Sequence, residues 1–338
     1  MNKYNSSVLR FVVLILLLAF YGFFFHQSED TNDKLSVRLS WLMNSNQAGF
    51  VTAVQKGFYD NERLEVVNYP GGIDFPSIQL VASGSDDIGV QSGGETILLA
   101  RQNKIPIKAI AILDKKSPYV FFSDKRKNIL SPKDFSGKTI AVSYGRPLEM
   151  LYRALLSKEN VDTSEITEVK KNPAIATLFS GAVDIQPGFV SDLIYAQEAG
   201  KKEGIELNAI RPVDYGIKSY GYTIFAREDM IENHPELVEK YLRATLKGWE
   251  YAVNNPDESI DYVLQSTDNE LDREAQLMAL KARKDFILSD DTPTGWMEAE
   301  VWQDMHDNLL EQGILDKAIN LDETYTNKFI EKIYADNK

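Results

Sequence analysis

Apolar runs of strand length alternate with stretches of helical period along the first third of the chain. The first run, Leu35–Leu42, opens into a polar turn, Asn44–Gln47. A helix is predicted over Ala48–Gly57, where Phe50, Val51 and Val54 share one face. Strand Leu64–Tyr69, a glycine turn at Gly71–Gly72 and a short helix lead to strand Ile88–Gln91, which stops at Ser92-Gly93-Gly94. Helix Glu95–Gln102 and strand Ile105–Leu113 follow. This alternation predicts a mostly parallel sheet. Ligands of such sheets sit beyond the carboxyl ends of the strands, which points to Trp41–Gln47 and Gln91–Gly94.

The pattern then restarts. After strand Tyr119–Ser123 come strand Thr139–Ser143, the corner Tyr144-Gly145-Arg146, and a helix from Pro147 carrying Leu148, Leu151, Leu155 and Leu156. Pro147 suits a first helical turn, where its missing N–H is not needed. Strand Ile166–Lys170, helix Ala174–Ser180, strand Ala182–Gln186, helix Ser191–Ala199 closed by Gly200, and strand Leu207–Ile210 complete the set. Both sets place a glycine and then an aspartate before the third strand, Gly84 with Asp87 and Gly181 with Asp184. The expectation is two α/β lobes of one layout. Residues 29–118 and 221–338 form lobe 1, and residues 119–220 form lobe 2. Strand Gly221–Arg227 returns the chain to lobe 1, so two crossings, near Tyr119 and Gly221, make a two-strand hinge. The rest reads as helices packed on lobe 1: Ile231–Asn254 with its stripe of Leu237, Tyr241, Leu242, Leu246, Trp249 and Val253, one begun by Pro256, then Leu271–Asp285, Trp296–Gln312 and Thr324–Tyr334.

Composition narrows the function. With 43% hydrophobic and 26% charged residues among 338, the chain is globular rather than disordered. A net charge of −13 without a basic face excludes nucleic acid as a partner. The absence of cysteine excludes disulfides, thiolate metal sites, a cysteine nucleophile and a lipobox anchor. Lys3 and Arg10 precede an uncharged apolar run, Phe11–Phe25. Residues 1–28 therefore read as a signal peptide or as an uncleaved anchor over residues 8–25. The cleavage candidates Ser28 and Gly22 have His26 and Phe20 at position −3, which favours the anchor. Either way the body lies outside the cytoplasm, periplasmic or extracytoplasmic.

The run WLMNSNQAGFVTAVQKGFYDNERLEV, the GG turn, LVASGSDDIGV and the later IFAREDMIENHPELVEKYLRATLKGWEYAVNNPDESI together resemble the periplasmic substrate-binding proteins of ABC importers. The likeness is to the group that binds thiamine pyrimidine precursors and to its sulfonate- and nitrate-binding relatives, and it spans most of residues 35–335. It implies a periplasmic binding protein-like (type II) fold, a monomer that captures a small planar ligand between its lobes, and an ABC permease in the inner membrane as partner. Alternatives are a sulfonate, taurine or nitrate binder, or a membrane-anchored sensor domain of the same fold. The pyrimidine-synthesising branch uses a cysteine-rich motif and its own histidine. This chain has no cysteine and only His26, His234 and His306, so an enzyme is not expected. No HExxH, GxSxG or phosphate-loop signature is present, and no cofactor, metal site or catalytic residue is expected. The family has glycine where Arg63 stands; if that position needs positive φ, arginine is strained there by about 1 kcal/mol or more.

The candidate ligand-binding residues follow. Trp41 would stack on a planar ligand, beside Asn44 and Asn46 in the polar turn and Gln91, Ser92 and Gly93 at the third strand's end. A core tryptophan and ordinary turn chemistry are the plainer readings. In lobe 2, Tyr144 would form the opposing aromatic wall, and Glu149 would accept from an exocyclic amine, unless it simply favours its helix N-terminus. Arg146 would serve an anionic ligand. Tyr119, Phe189, Tyr220 and Trp296 are further aromatic candidates, and Asp74 a polar one. The opposite lobe is expected to read the ligand's chemistry.

Overall fold

The computed structural model describes residues 32–72, 74–172, 174–268, 270–288 and 292–335. The signal or anchor expected over residues 1–28 lies outside them. Among the described residues no helix is long and apolar enough to cross a membrane. Lys34–Lys338 forms one compact unit.

The first sheet is built from β1 (Asp33–Arg38), β2 (Leu64–Tyr69), β3 (Ile88–Ser92) and β4 (Ile107–Ile112), with α1 (Ala48–Gln55), α2 (Phe58–Asn61), α3 (Ser77–Ala82) and α4 (Glu95–Gln102) between them. The second sheet takes β5 (Tyr119–Asp124), β6 (Thr139–Val142), β7 (Thr167–Lys170), β8 (Ile185–Phe189) and β9 (Leu207–Ile210). Its helices are α5 (Pro147–Lys158), α6 (Ala176–Phe179) and α7 (Val190–Glu203). Strand β10 (Tyr222–Arg227) rejoins the first sheet, whose order is β2-β1-β3-β10-β4; the second runs β7-β6-β8-β5-β9. The chain thus crosses between the sheets twice. Helices α8 (Glu228–Asn233), α9 (Pro235–Asn254), α10 (Pro256–Gln265), α11 (Arg273–Ile287), α12 (Ala299–Glu311) and α13 (Lys328–Ala335) follow.

The matching Gly and Asp pairs do the same work in each lobe. Gly84 and Gly181 adopt positive φ (78° and 76°), turning the chain so that an aspartate meets β1 in the first lobe and β6 in the second. Asp87 accepts from the Ser36 amide at 2.8 Å and Asp184 from the Thr139 amide at 2.7 Å. Arg63 does sit at positive φ, 57°.

Three expectations change. The sheets are mixed rather than mostly parallel, because β10 runs antiparallel to β3 and β4, and β5 antiparallel to β8 and β9. Gly200 does not end its helix; it lies against the Ile205 backbone and the Phe179 ring, and α7 stops at Gly204, which takes φ 68°. The long helix expected from Ile231 is split at His234, because the residue before Pro235 is pushed out of helical geometry.

The apolar stripe of α9 packs on α1. Their closest approach is glycine on glycine: a β-carbon at Gly49 would collide with the Trp249 ring, and one at Gly248 would sit 2.5 Å from the Gly49 carbonyl. Trp249 is fully buried, edge-on to Phe50 at 5.6 Å.

A candidate ligand cleft between the two sheets

The polar turn after β1 is the centre of the site. Asn44 caps a 3-10 turn, Ser45–Gln47, by accepting from the Asn46 amide. All three turn residues are buried, so their polar groups need partners. Most come from far along the chain. The Ser45 amide donates to Gln276 Oε1 at 2.8 Å, and its hydroxyl meets the Tyr195 hydroxyl at 2.8 Å. Tyr195 donates to the same Gln276 oxygen at 3.1 Å. Asn46 Nδ2 donates to Ser191 Oγ at 3.2 Å, and its carbonyl accepts from Arg283 at 2.9 Å. Ser191 and Tyr195 lie on α7 beside the second sheet, whereas Gln276 and Arg283 lie on α11. The turn therefore bolts three parts of the chain together.

Behind it stands a buried ion pair. Arg283 Nη2 donates to Asp114 Oδ1 at 2.6 Å, while Asp114 Oδ2 accepts from the Tyr222 amide at 2.9 Å. The guanidinium also lies over the Tyr222 and Trp249 rings, 4.8 and 4.6 Å from their centroids. Gln47 Nε2 donates to the Tyr222 hydroxyl at 3.3 Å, but Gln47 Oε1 is buried without a protein partner.

Aromatic rings continue the seam from the first sheet into the second. Phe189, at the end of β8, has Tyr119 at 4.8 Å on one side and Tyr222 at 5.9 Å on the other. The Tyr119 hydroxyl is buried and also lacks a partner. Its pKa is held well above the usual tyrosine range, first by burial and then by the carboxylates of Glu95 and Asp114 and by Tyr222. Gln47 thus meets Tyr222, and Tyr119 lies within electrostatic reach of both Tyr222 and Glu95.

At the rim, Trp41 is 41% exposed and Tyr144 is 50% exposed, unlike the tryptophans and tyrosines of the cores. Tyr144 donates to Glu168 at 3.3 Å, and Glu168 also accepts from Tyr152 and Arg153. Arg146 is exposed. The Glu149 oxygens are engaged at their own corner, one by the Gly145 amide at 2.7 Å and the other by Arg153 at 3.2 Å. Gln91 Oε1 accepts from the Ser92 amide, and Ser92 pairs with Tyr222 across the sheet. Gly93 is buried at φ 102°; a β-carbon there would meet Pro147 at 2.7 Å and Glu95 at 2.8 Å. Asp74 is exposed.

Two aromatic candidates belong to the core. The Tyr220 hydroxyl is held by the Glu298 backbone and its ring packs edge-on to Trp302, while Trp296 is half-buried against the first sheet's core. The residues that sequence reasoning missed are Ser45, Gln47, Glu95, Asp114, Ser191, Tyr195, Tyr222, Gln276 and Arg283. One signal was available: Gln276 and Arg283 stand seven residues apart on the face of α11 that also carries Leu280 and Ile287. Polar groups two helical turns apart on an apolar stripe mark buried partners.

Two mixed α/β sheets joined by two crossings, with strand ends facing across a polar and aromatic seam, define the periplasmic binding protein fold. The periplasmic aliphatic sulphonate binding protein SsuA from Escherichia coli superimposes with a TM-score of 0.68 at 15% identity, over 87% of this chain and 92% of that one. Residues 44–259 match the NMT1/THI5 like family, and the chain belongs to it. The riboflavin-binding protein RibY of Chloroflexus aurantiacus is 25% identical over 90% of this chain and 88% of its own. The formylaminopyrimidine-binding protein of Halalkalibacterium halodurans is 26% identical over 94% and 98%.

Proposed function

We propose that this chain is the extracytoplasmic ligand-binding subunit of an ABC importer, and that it closes its lobes on a small heteroaromatic bearing N–H groups, of the thiamine-pyrimidine-precursor type. The observation that carries the ligand chemistry is the pair of unpartnered buried atoms, Gln47 Oε1 and the Tyr119 hydroxyl, in a seam whose guanidinium, Arg283, is already spent on Asp114 and Asn46. An amide oxygen without a donor asks for a ligand N–H. A sulfonate would ask for an unspent cation, and Arg146 offers one only at the exposed corner beside Tyr144, not in the buried seam. Trp41 and Tyr144 supply exposed rings for stacking. Both curated relatives are named as binding proteins, one of them for a formylaminopyrimidine, which supports transport rather than catalysis.

Calorimetry on the full chain in detergent, with formylaminopyrimidine, riboflavin and an alkanesulfonate, tests this. Formylaminopyrimidine is expected to bind at micromolar concentration or below. Trp41→Ala and Tyr144→Ala should each weaken it about three- to tenfold, the usual worth of an aromatic pair. Binding of the alkanesulfonate without the pyrimidine would overturn the ligand class, and preference for riboflavin would move it to flavins.

A further inference from the structure

Glu95 opens α4 where the two lobes touch. Its side chain is buried, and Oε2 has no hydrogen-bond partner. It borders a cavity of about 10 Å3, room for about one water. Met150, Leu151 and Ala154 of α5 wall that cavity from the second lobe, and Met305 and Leu309 of α12 from the first. Met150 goes further and packs into the first lobe's apolar cluster with Ile97, Leu98 and Met305. Pro147, at the start of α5, stands over Gly93 beside the same carboxylate. The cover over Glu95 is thus largely an element of the other lobe.

Among the described residues no cation answers it. The groups that α5 and α12 turn toward the cavity are uncharged, including Asn308 and Gln312. Lys218 lines it from the returning segment, but its ammonium bonds Glu300 at 2.5 Å and has Asp304 at 3.6 Å. Arg101, on the same helix, is paired with Glu228 and Glu323. Ser219 and the Glu95 amide are the polar groups close enough to the carboxyl to favour its charged form, and Tyr119 is its electrostatic neighbour from β5.

We propose that closure of the lobes is proton-linked through Glu95: it is a hydrated carboxylate at the N-terminus of α4 when α5 is away, and takes up one proton when α5 covers it. The proposal rests on the reading that the lobes open and close. Burial raises the carboxyl from 4.5 to about 7, with Ser219 and the backbone pulling it down. A group whose pKa is higher in the closed form favours closure at low pH. That advantage is complete below 4.5 and is lost as pH rises through 7. Between those limits the ratio of closed to open protein should fall about tenfold per pH unit, on the order of 300-fold in all.

The chain has no cysteine, so Asn61→Cys and Ser164→Cys, both at exposed positions on opposite lobes, allow spin labels to report the interlobe distance in the full chain without any ligand. The closed population should fall from pH 5 to 7.5, and Glu95→Gln should remain closed with no pH dependence. A flat wild-type series overturns the proposal, as does a Glu95→Gln variant that keeps the wild-type slope. The wild-type series decides alone if the variant does not fold. A chain that closes with pH yet binds none of the three ligands would leave this proposal standing and remove the ligand assignment.

Discussion

Asp114→Ala is expected to lower the unfolding free energy by about 3–5 kcal/mol, the usual cost of breaking a buried ion pair by removing one partner. Asp114 is fully buried and Arg283 is 5% exposed, so water cannot replace the lost carboxylate without disrupting the packing. The substitution strips Arg283 of its two bonds to Oδ1, at 2.6 and 3.2 Å, and leaves the Tyr222 amide without an acceptor. The guanidinium would retain the Asn46 carbonyl and two aromatic faces, which favour a cation but do not neutralise it. A urea titration of the single and double variants checks the cause. Arg283→Met in the Asp114→Ala background should recover much of the loss, because a well-packed apolar pair is often as stable as a buried ionic one. A single-variant loss below about 1 kcal/mol would mean that the pair is effectively solvated, and that it does not brace the polar turn.

That ion pair also marks the limit of what the sequence conveys. Local geometry was legible. The Gly84 with Asp87 and Gly181 with Asp184 pairs announced two copies of one turn, and the arginine after Glu62 announced a strained φ. Strand direction was not, because alternation of strands and helices is the same whether β5 and β10 run with or against their neighbours. The strand expected over Ala182–Gln186 also runs further, to Phe189. Proline in a central strand argues against the strand, yet β8 continues through it, pairing Pro187 with Phe121, after its pairing with β6 at Ile185. The strand ends carried the two exposed rings, Trp41 and Tyr144, of the candidate cleft. Its interior was not legible in this way. The partners of the turn lie far along the chain: 145 positions separate Asn46 from Ser191, 231 separate Ser45 from Gln276, and 237 separate Asn46 from Arg283. No periodicity reports contacts at that range. Glu149 shows the converse: a carboxylate in a promising corner whose oxygens already bond its own loop and helix, which the sequence did not convey.

Gly93→Ala should cost folding stability through its backbone and, separately, ligand binding. At φ 102° any L-residue is strained, by about 1–3 kcal/mol. That cost is present whether the lobes are open or closed, so it lowers stability but cancels from ligand affinity. The second cost does not cancel. The new methyl carbon would lie 2.7 Å from Pro147 Cγ and 2.8 Å from Glu95 Oε2. Pro147 belongs to the second lobe, and its ring cannot swing aside as a flexible side chain would. Relief requires α5 to back away, which uncovers Glu95 and withdraws Met150 from the first lobe's cluster. Because ligand binding draws on closure, whatever penalises only the closed form appears in full as lost affinity. A loss of tenfold or more, about 1.4 kcal/mol, is expected in calorimetric titrations. Gly204→Ala is the matched control: φ is 68° there, with nothing within 4 Å of the added carbon, so only the backbone cost applies. Equal affinities of the two variants would show that Pro147 does not close onto Gly93 when ligand binds, and the seam would then be a permanent contact rather than the moving edge of the cleft.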